Sequence, residues 1–262
     1  MKITIGHLFY DILNLYGESG NILALKYALE KQGVEVEIKE LSLNDELYLG
    51  DLDLVYMGAG TEENQMLALD YLKKYLPYIS QEVLGGKFFL VTGNSVELFG
   101  THIQDGENKI ETLGIFHYFT ERTKERLVSE CVFKHKKVDD LILGFENHQG
   151  ILRKVSLPMF EVIKGFGSEK DTGVEGFKHN SFRGTYLLGP ILARNPKLLE
   201  FFVKELISKK NKDFEFKPLD LEIAQMAHDK FMDKYTNLLA ALAEKENKKA
   251  TKNKKVNKGI KI

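Results

Sequence analysis

Lys87-Phe88-Phe89-Leu90-Val91-Thr92 has the apolar run of a buried strand, and Gly93-Asn94-Ser95-Val96-Glu97-Leu98-Phe99-Gly100 turns out of it into a helix. In many α/β hydrolytic enzymes such a turn carries the nucleophile, because it lifts one side chain clear of the sheet beside free backbone N–H groups. The apex here is Gly93, which has no side chain. Ser95 and Thr92 are the nearest hydroxyls. Ser95 falls in the first turn of the expected helix, where it or Asn94 would cap free N–H groups rather than attack a substrate. The segment also departs from Gly-x-Ser-x-Gly, because Glu97 stands where the second glycine belongs. Cys131 lies in a strand-like run and reads as a small core residue.

Other chemistry-bearing residues are scattered. His7 closes the first strand at the carboxyl edge, where α/β sheets gather ligands, yet a structural histidine is the simpler reading. Glu146, Asn147 and His148 read as a hydrogen-bonded turn; without a third ligand at sensible spacing they do not make a zinc site. Arg126 could pair with a carboxylate through its fork of N–H donors, or be a solvated charge at a strand edge.

The elements that must position these residues follow from periodicity. Residues 3–9 read as a strand, 22–32 as an amphipathic helix closed by Gly33, 34–41 as an alternating strand and 53–57 as a short apolar strand ending in Gly58-Ala59-Gly60. Residues 64–79 read as a helix before the strand at 87–92. This alternation predicts an α/β fold, a mostly parallel sheet with helices on both faces. Short strands follow at 126–135, 141–145, 151–155 and 161–165, with a strand ending at Gly189-Pro190 and a helix over 196–209. Residues 219–245 carry one long amphipathic stripe. The expected division is a main domain over 1–209, a helical extension over 210–244 and a lysine-rich, solvated tail over 245–262.

Composition narrows the classes. With 43 % hydrophobic and 29 % charged residues and a net charge of −1, the chain is an ordinary globular protein, and nucleic acid is not an indicated partner. A single cysteine forbids an internal disulfide, and no apolar run reaches the length of a membrane span, so a cytoplasmic protein is expected.

Several segments taken together resemble one family. His7-Leu8-Phe9-Tyr10-Asp11-Ile12-Leu13-Asn14-Leu15-Tyr16-Gly17-Glu18-Ser19-Gly20-Asn21 is similar to the opening of the CobB/CobQ-like class I glutamine amidotransferases, and most of all to the glutaminase subunit of lipid II isoglutaminyl synthase. Gly58-Ala59-Gly60, Gly144-Phe145-Glu146-Asn147-His148-Gln149-Gly150 and Gly184-Thr185-Tyr186-Leu187-Leu188-Gly189-Pro190 match further family segments in order. The resemblance implies a class I amidotransferase-like fold, no cofactor, and a glutamine site that includes Arg126, Gly58 and Gly60. It also places Gly93 on the family's cysteine nucleophile and Leu188 on its histidine base. Glycine cannot attack and leucine cannot titrate, so no catalytic residue is expected. The resemblance therefore implies an inactive partner of a Mur-ligase-like subunit in cell-wall precursor amidation. Two alternatives stand beside it: a working glutaminase with unconventional residues, and a free-standing glutamine or small-molecule sensor.

Overall fold

The computed structural model describes residues 1–168, 172–235, 237 and 240. The chain falls into two units, Met1–Leu221 and Glu222–Ile262. The first opens with β1 (Lys2–Leu8), α1 (Ser19–Lys31), β2 (Glu35–Leu41), β3 (Leu54–Met57), α2 (Glu62–Lys73), α3 (Leu76–Leu84) and β4 (Phe88–Thr92). A 3-10 helix over Gly93–Phe99 leads into β5 (His102–Asp105), β6 (Asn108–Glu111), β7 (Phe119–Lys134), β8 (Leu141–Arg153) and β9 (Phe160–Lys164). Then come β10 (Val174–Glu175), β11 (Phe177–His179), β12 (Phe182–Thr185), β13 (Leu187–Leu188), α4 (Ile191–Arg194) and α5 (Pro196–Lys210).

Six strands form one sheet in the order β11-β12-β4-β3-β1-β2, all parallel except β11. Alternation along the buried strands decides which helices cover which face. Phe88 and Leu90 join Ile3, Ile5, Leu54 and Tyr56 against α1 and α5. Phe89 and Val91 face the other way, with Val55 and Met57, onto α2 and α3. Both faces are dry, which is why these strands read as apolar runs rather than as alternating ones.

The expected helix over 64–79 is two helices. Pro77, in the first turn of α3, has no N–H to bond the Lys73 carbonyl and its ring would clash with it, so one continuous helix is broken at Lys74–Tyr75. Thr61 starts α2 by accepting the Asn64 N–H. Gly33, at φ +76, closes α1 as its position in the sequence suggested.

The second half is a sheet of its own rather than a set of short pieces. The expected strands at 141–145 and 151–155 are one strand, β8, and the expected strand at 126–135 begins earlier, as β7. The two pair antiparallel, with an irregular register between Arg122 and Leu127. The polar run Glu146-Asn147-His148 concealed the continuity of β8: it is strand, not turn. β13 pairs with β8, setting Leu187 against Glu146 and Leu188 against Phe145.

Glu175 fixes the approach to β13. Its carboxyl accepts the Tyr186 N–H at 2.7 Å and the Thr185 hydroxyl at 2.8 Å, and burial pushes its pKa up to about 8 from 4.5. Between those values the folded chain keeps a proton that the unfolded chain has released. The stability Glu175 contributes is therefore complete below about pH 4.5 and is lost as pH rises through about 8. Glu175→Gln, which mimics the protonated acid, should melt higher than the native chain above pH 8 and close to it near pH 5. A melting difference that does not change with pH would rule this assignment out.

The second unit begins with α6 (Glu222–Met232), which passes into a 3-10 turn at Asp233–Tyr235. The single long helix expected over 219–245 is thus shorter at its start and tightens at Asp233. The tail over 245–262 lies outside the described residues. No helix among the described residues is long and apolar enough to cross a membrane.

Candidate functional site

At the end of β4 the backbone turns through Gly93 at φ +62, the left-handed region in which glycine is unstrained. A Cβ placed there would stand 2.4 Å from the Ala59 Cβ and 2.6 Å from the Leu188 Cδ2. Gly93, Ala59 and Leu188 therefore converge on one point, although they come from three separate segments and from two sheets. Leu188 is buried, and its methyl group fills the space into which a side chain at position 93 would project.

The segment after Gly93 is a 3-10 helix, and neither Asn94 nor Ser95 caps it. Both instead hold the loop after β3. The Asn94 amide accepts from the Gly60 N–H and donates to the Gly60 carbonyl, and the Ser95 hydroxyl donates to the Gly58 carbonyl at 2.5 Å. The two glycines are needed because the segment after β1 lies directly on this loop. A Cβ would meet the Leu13 carbonyl oxygen at 2.3 Å from Gly58, and the Ile12 carbonyl oxygen at 2.8 Å from Gly60. Gly60 lines the cavity described below, while Gly58 is not among its lining residues.

Beneath the turn lies a buried polar network. Glu18 is fully buried; one carboxylate oxygen accepts the Tyr56 hydroxyl at 2.8 Å and the Thr92 hydroxyl at 2.6 Å, and the other accepts the Gly189 N–H at 2.7 Å. Asn21 donates to the Tyr56 oxygen and accepts from the Leu192 N–H. Burial raises the pKa of Glu18, and the three donors oppose that rise. The network ties the first loop to the ends of β3 and β4 and to the residue after Leu188. Thr92 is thereby committed to structure.

Beside Gly93, Ala59 and Leu188 opens a cavity of about 100 Å³. Arg126 stands at its exposed rim, donating to Glu62 at 2.5 Å and to the Asn147 side chain at 3.1 Å. Arg122, which the sequence did not single out, lies deeper; it donates to Gln65 at 2.9 Å and to Asp105 at 3.2 Å. The irregular register between Arg122 and Leu127 marks the stretch of β7 that carries both guanidinium groups to the cavity. Glu97 is buried and accepts from Gln65 at 2.9 Å and from the Tyr186 hydroxyl at 3.1 Å; burial raises its pKa.

Asn147 and His148 both reach the cavity, while Glu146 turns away and accepts the N–H groups of Phe166 and Gly167. His7 packs on Tyr10 and Tyr56 outside the cavity lining, and burial lowers its pKa to about 4. Cys131 is buried, and burial pushes its thiol up, so it is inert. Among the lining residues there is no thiol; the Thr61 hydroxyl caps α2 and the Tyr16 hydroxyl accepts from Asn147. The site can bind through guanidinium, amide and imidazole groups, but it offers no activated nucleophile at the turn.

Comparison with known proteins fits this architecture. The "PurLQS" structure from Thermotoga maritima superposes with a TM-score of 0.51 at 15 % identity, covering 80 % of this chain and 99 % of that one. A structure described as a glutamine amidotransferase gives a TM-score of 0.53 at 16 % identity, covering 77 % and 98 %. At that identity the likeness speaks for the fold, a class I amidotransferase-like one. In sequence, the lipid II isoglutaminyl synthase (glutamine-hydrolyzing) subunit GatD of Streptococcus pneumoniae (strain ATCC BAA-255 / R6) is 31 % identical over 213 residues, 80 % of this chain and 82 % of that protein. GatD of Staphylococcus aureus (strain N315) is 28 % identical over 234 residues, 89 % and 96 %. The CobB/CobQ-like glutamine amidotransferase domain matches residues 4–196, from β1 to the start of α5, and the chain belongs to that family.

Proposed function

We propose that this chain is a catalytically silent glutaminase-type subunit that acts by binding: it holds a Mur-ligase-like partner in lipid II amidation on the cytoplasmic side. The observation that carries the reading is the turn at Gly93, where a Leu188 methyl group and the Ala59 Cβ take the space a nucleophile would need. Glutamine hydrolysis requires a thiolate to attack the carboxamide and an imidazole to move its proton, and positions 93 and 188 supply neither. The pathway, and the role as one subunit among others, follow the relatives, both described as glutamine-hydrolyzing lipid II isoglutaminyl synthase subunits; the Mur-ligase-like character of the partner follows the family resemblance of the sequence.

The test is glutamate release from glutamine by the purified chain, alone and mixed with the Mur-ligase-like subunit. Loss of even one member of such a catalytic unit lowers the rate by about 10⁴–10⁶, so release should equal a no-enzyme control while the complex still forms on a sizing column. Release proportional to the amount of this chain, surviving repeated purification, would instead make it a working glutaminase with unconventional residues. Failure to form the complex would remove the scaffold role.

A second reading is favoured by the cavity itself. Arg122, Arg126, Asn147 and His148 still line a closed-in space beside the silent turn, the equipment for holding a small amino acid such as glutamine. Binding and loss of catalysis are compatible, and a ligand held there would report its level to the partner.

A further inference from the structure

We propose that the chain pairs with a second copy of itself through the outer edge of β2, joining two six-stranded sheets across a two-fold axis at Ile38. β2 ends the order β11-β12-β4-β3-β1-β2, and its one ladder partner among the described residues is β1. Glu35 donates its N–H to the Met1 carbonyl and Leu41 accepts the Phe9 N–H, so the odd-numbered residues of β2 turn their backbone groups inward, toward β1. Alternation then turns the N–H and C=O groups of Val36, Ile38 and Glu40 outward, along an edge of seven residues. β11, at the other end of the sheet, has three. Val36 and Ile38 lie opposite Ile3 and Ile5 and pack on the same core, yet they are half-buried where Ile3 and Ile5 are fully buried. Such an edge is open to another strand.

The residues of β2 select its own copy as that strand. A two-fold axis perpendicular to the sheet makes the two strands antiparallel and keeps each face continuous, so opposed residues are both odd or both even. With the axis on Ile38, Ile38 meets itself and Val36 meets Glu40 of the second copy. These are the outward-turned residues, so each such pair exchanges two hydrogen bonds. Glu37 then lies opposite Lys39 of the second copy, in the closer, non-hydrogen-bonded pairs where opposite charges stabilise, and symmetry repeats the contact. Lys2 holds one oxygen of Glu37 at 3.0 Å, and the other has no partner among the described residues. A register moved by two residues sets Glu37 against itself or Lys39 against itself, and like charges there repel. The pairing does not depend on the silence proposed for the Gly93 turn, which follows β4, a strand separated from β2 by β3 and β1.

The experiment is sedimentation equilibrium on the full chain, which should be dimeric at micromolar concentration. Glu37→Lys sets like charges opposite each other at both symmetric pairs, and so does Lys39→Glu. Each alone should raise the dissociation constant about ten- to a hundredfold. Mixed in equal amounts, the two variants complement each other at both pairs and should restore the dimer to near native strength. The register is read separately, with Glu37→Cys mixed with Lys39→Cys. That mixture should form an intermolecular disulfide under mild oxidation, whereas either variant alone should not, because its thiol faces a residue without one. Cys131 is buried and does not compete. A native chain that stays monomeric, a dimer indifferent to both charge changes, a mixture no stronger than its components, or absence of the mixed disulfide would each overturn the inference.

Discussion

Ala59→Gly, Gly93→Cys and Leu188→His combined should give a thiol that reacts with a glutamine-like electrophile about a hundredfold faster than Ala59→Gly with Gly93→Cys alone, the contribution typical of one positioned base. Restoring only the two reacting groups should not suffice. Leu188→His removes the methyl group at 2.6 Å from the new Cβ, but the Ala59 Cβ at 2.4 Å belongs to a loop clamped by Asn94 and Ser95 and cannot retreat. Such overpacking costs about 1–3 kcal/mol, and a side chain at φ +62 adds about 1–3 kcal/mol of backbone strain. With glycine at position 59 the closest remaining neighbour is its Cα at 3.3 Å, which a shift of a few tenths of an ångström accommodates. Alkylation rates followed by mass spectrometry decide the matter. Fast labelling without Ala59→Gly would show that the loop yields after all. Equal, slow labelling in every variant would show that position 188 is not where a base can serve position 93, and the assignment of both positions would fall.

Glu18→Ala should cost at least about 2 kcal/mol in urea unfolding, because it removes the shared acceptor of three buried donors: the two hydroxyls can fall back on each other, while the backbone N–H is left unpaired. Those donors are the Tyr56 and Thr92 hydroxyls and the Gly189 N–H. Thr92→Val removes one donor together with its need for an acceptor and should cost less, while Tyr56→Phe also deprives the Asn21 amide of its acceptor and should fall between Thr92→Val and Glu18→Ala. Their effects should also fall short of additivity when either is combined with Glu18→Ala. A loss below about 1 kcal/mol for Glu18→Ala would mean that water replaces the carboxylate readily and that the network is not what holds the strand ends together.

The parallel sheet was legible because buried strands and amphipathic helices write their periods plainly. Val34 to Leu41 alternates, Phe88 to Thr92 does not, and each pattern states how many faces are covered. The second sheet was harder. A strand that passes under a site carries the polar residues of that site, and Glu146-Asn147-His148 broke the apolar signal in the middle of β8. Long-range pairing is also silent in local sequence: only the family resemblance set Leu188 beside Gly93, and nothing foretold that Arg122 would be drawn in beside Arg126. Asn94 and Ser95 sit where caps belong, yet neither caps the helix. Their partners in the Gly58–Gly60 loop come from another strand end, which a local rule does not see. In sequence Ala59 is only the middle of Gly58-Ala59-Gly60, and the geometry alone gives its methyl group a meaning.

The left-handed turn at Gly93 has a consequence for the paths open to this sequence. Glycine is the residue that relaxes this backbone, so a chain carrying it here is more comfortable than one carrying any nucleophile. A lone cysteine at 93 meets strain and two collisions with no base beside it, and a lone histidine at 188 gives up apolar packing for a base with no thiol to activate. On the reading proposed above, each first step away from the present sequence costs stability without gaining a reaction, and hydrolysis would need three coordinated changes. If the chain is silent as proposed, the turn acts as a ratchet, closed against any single change.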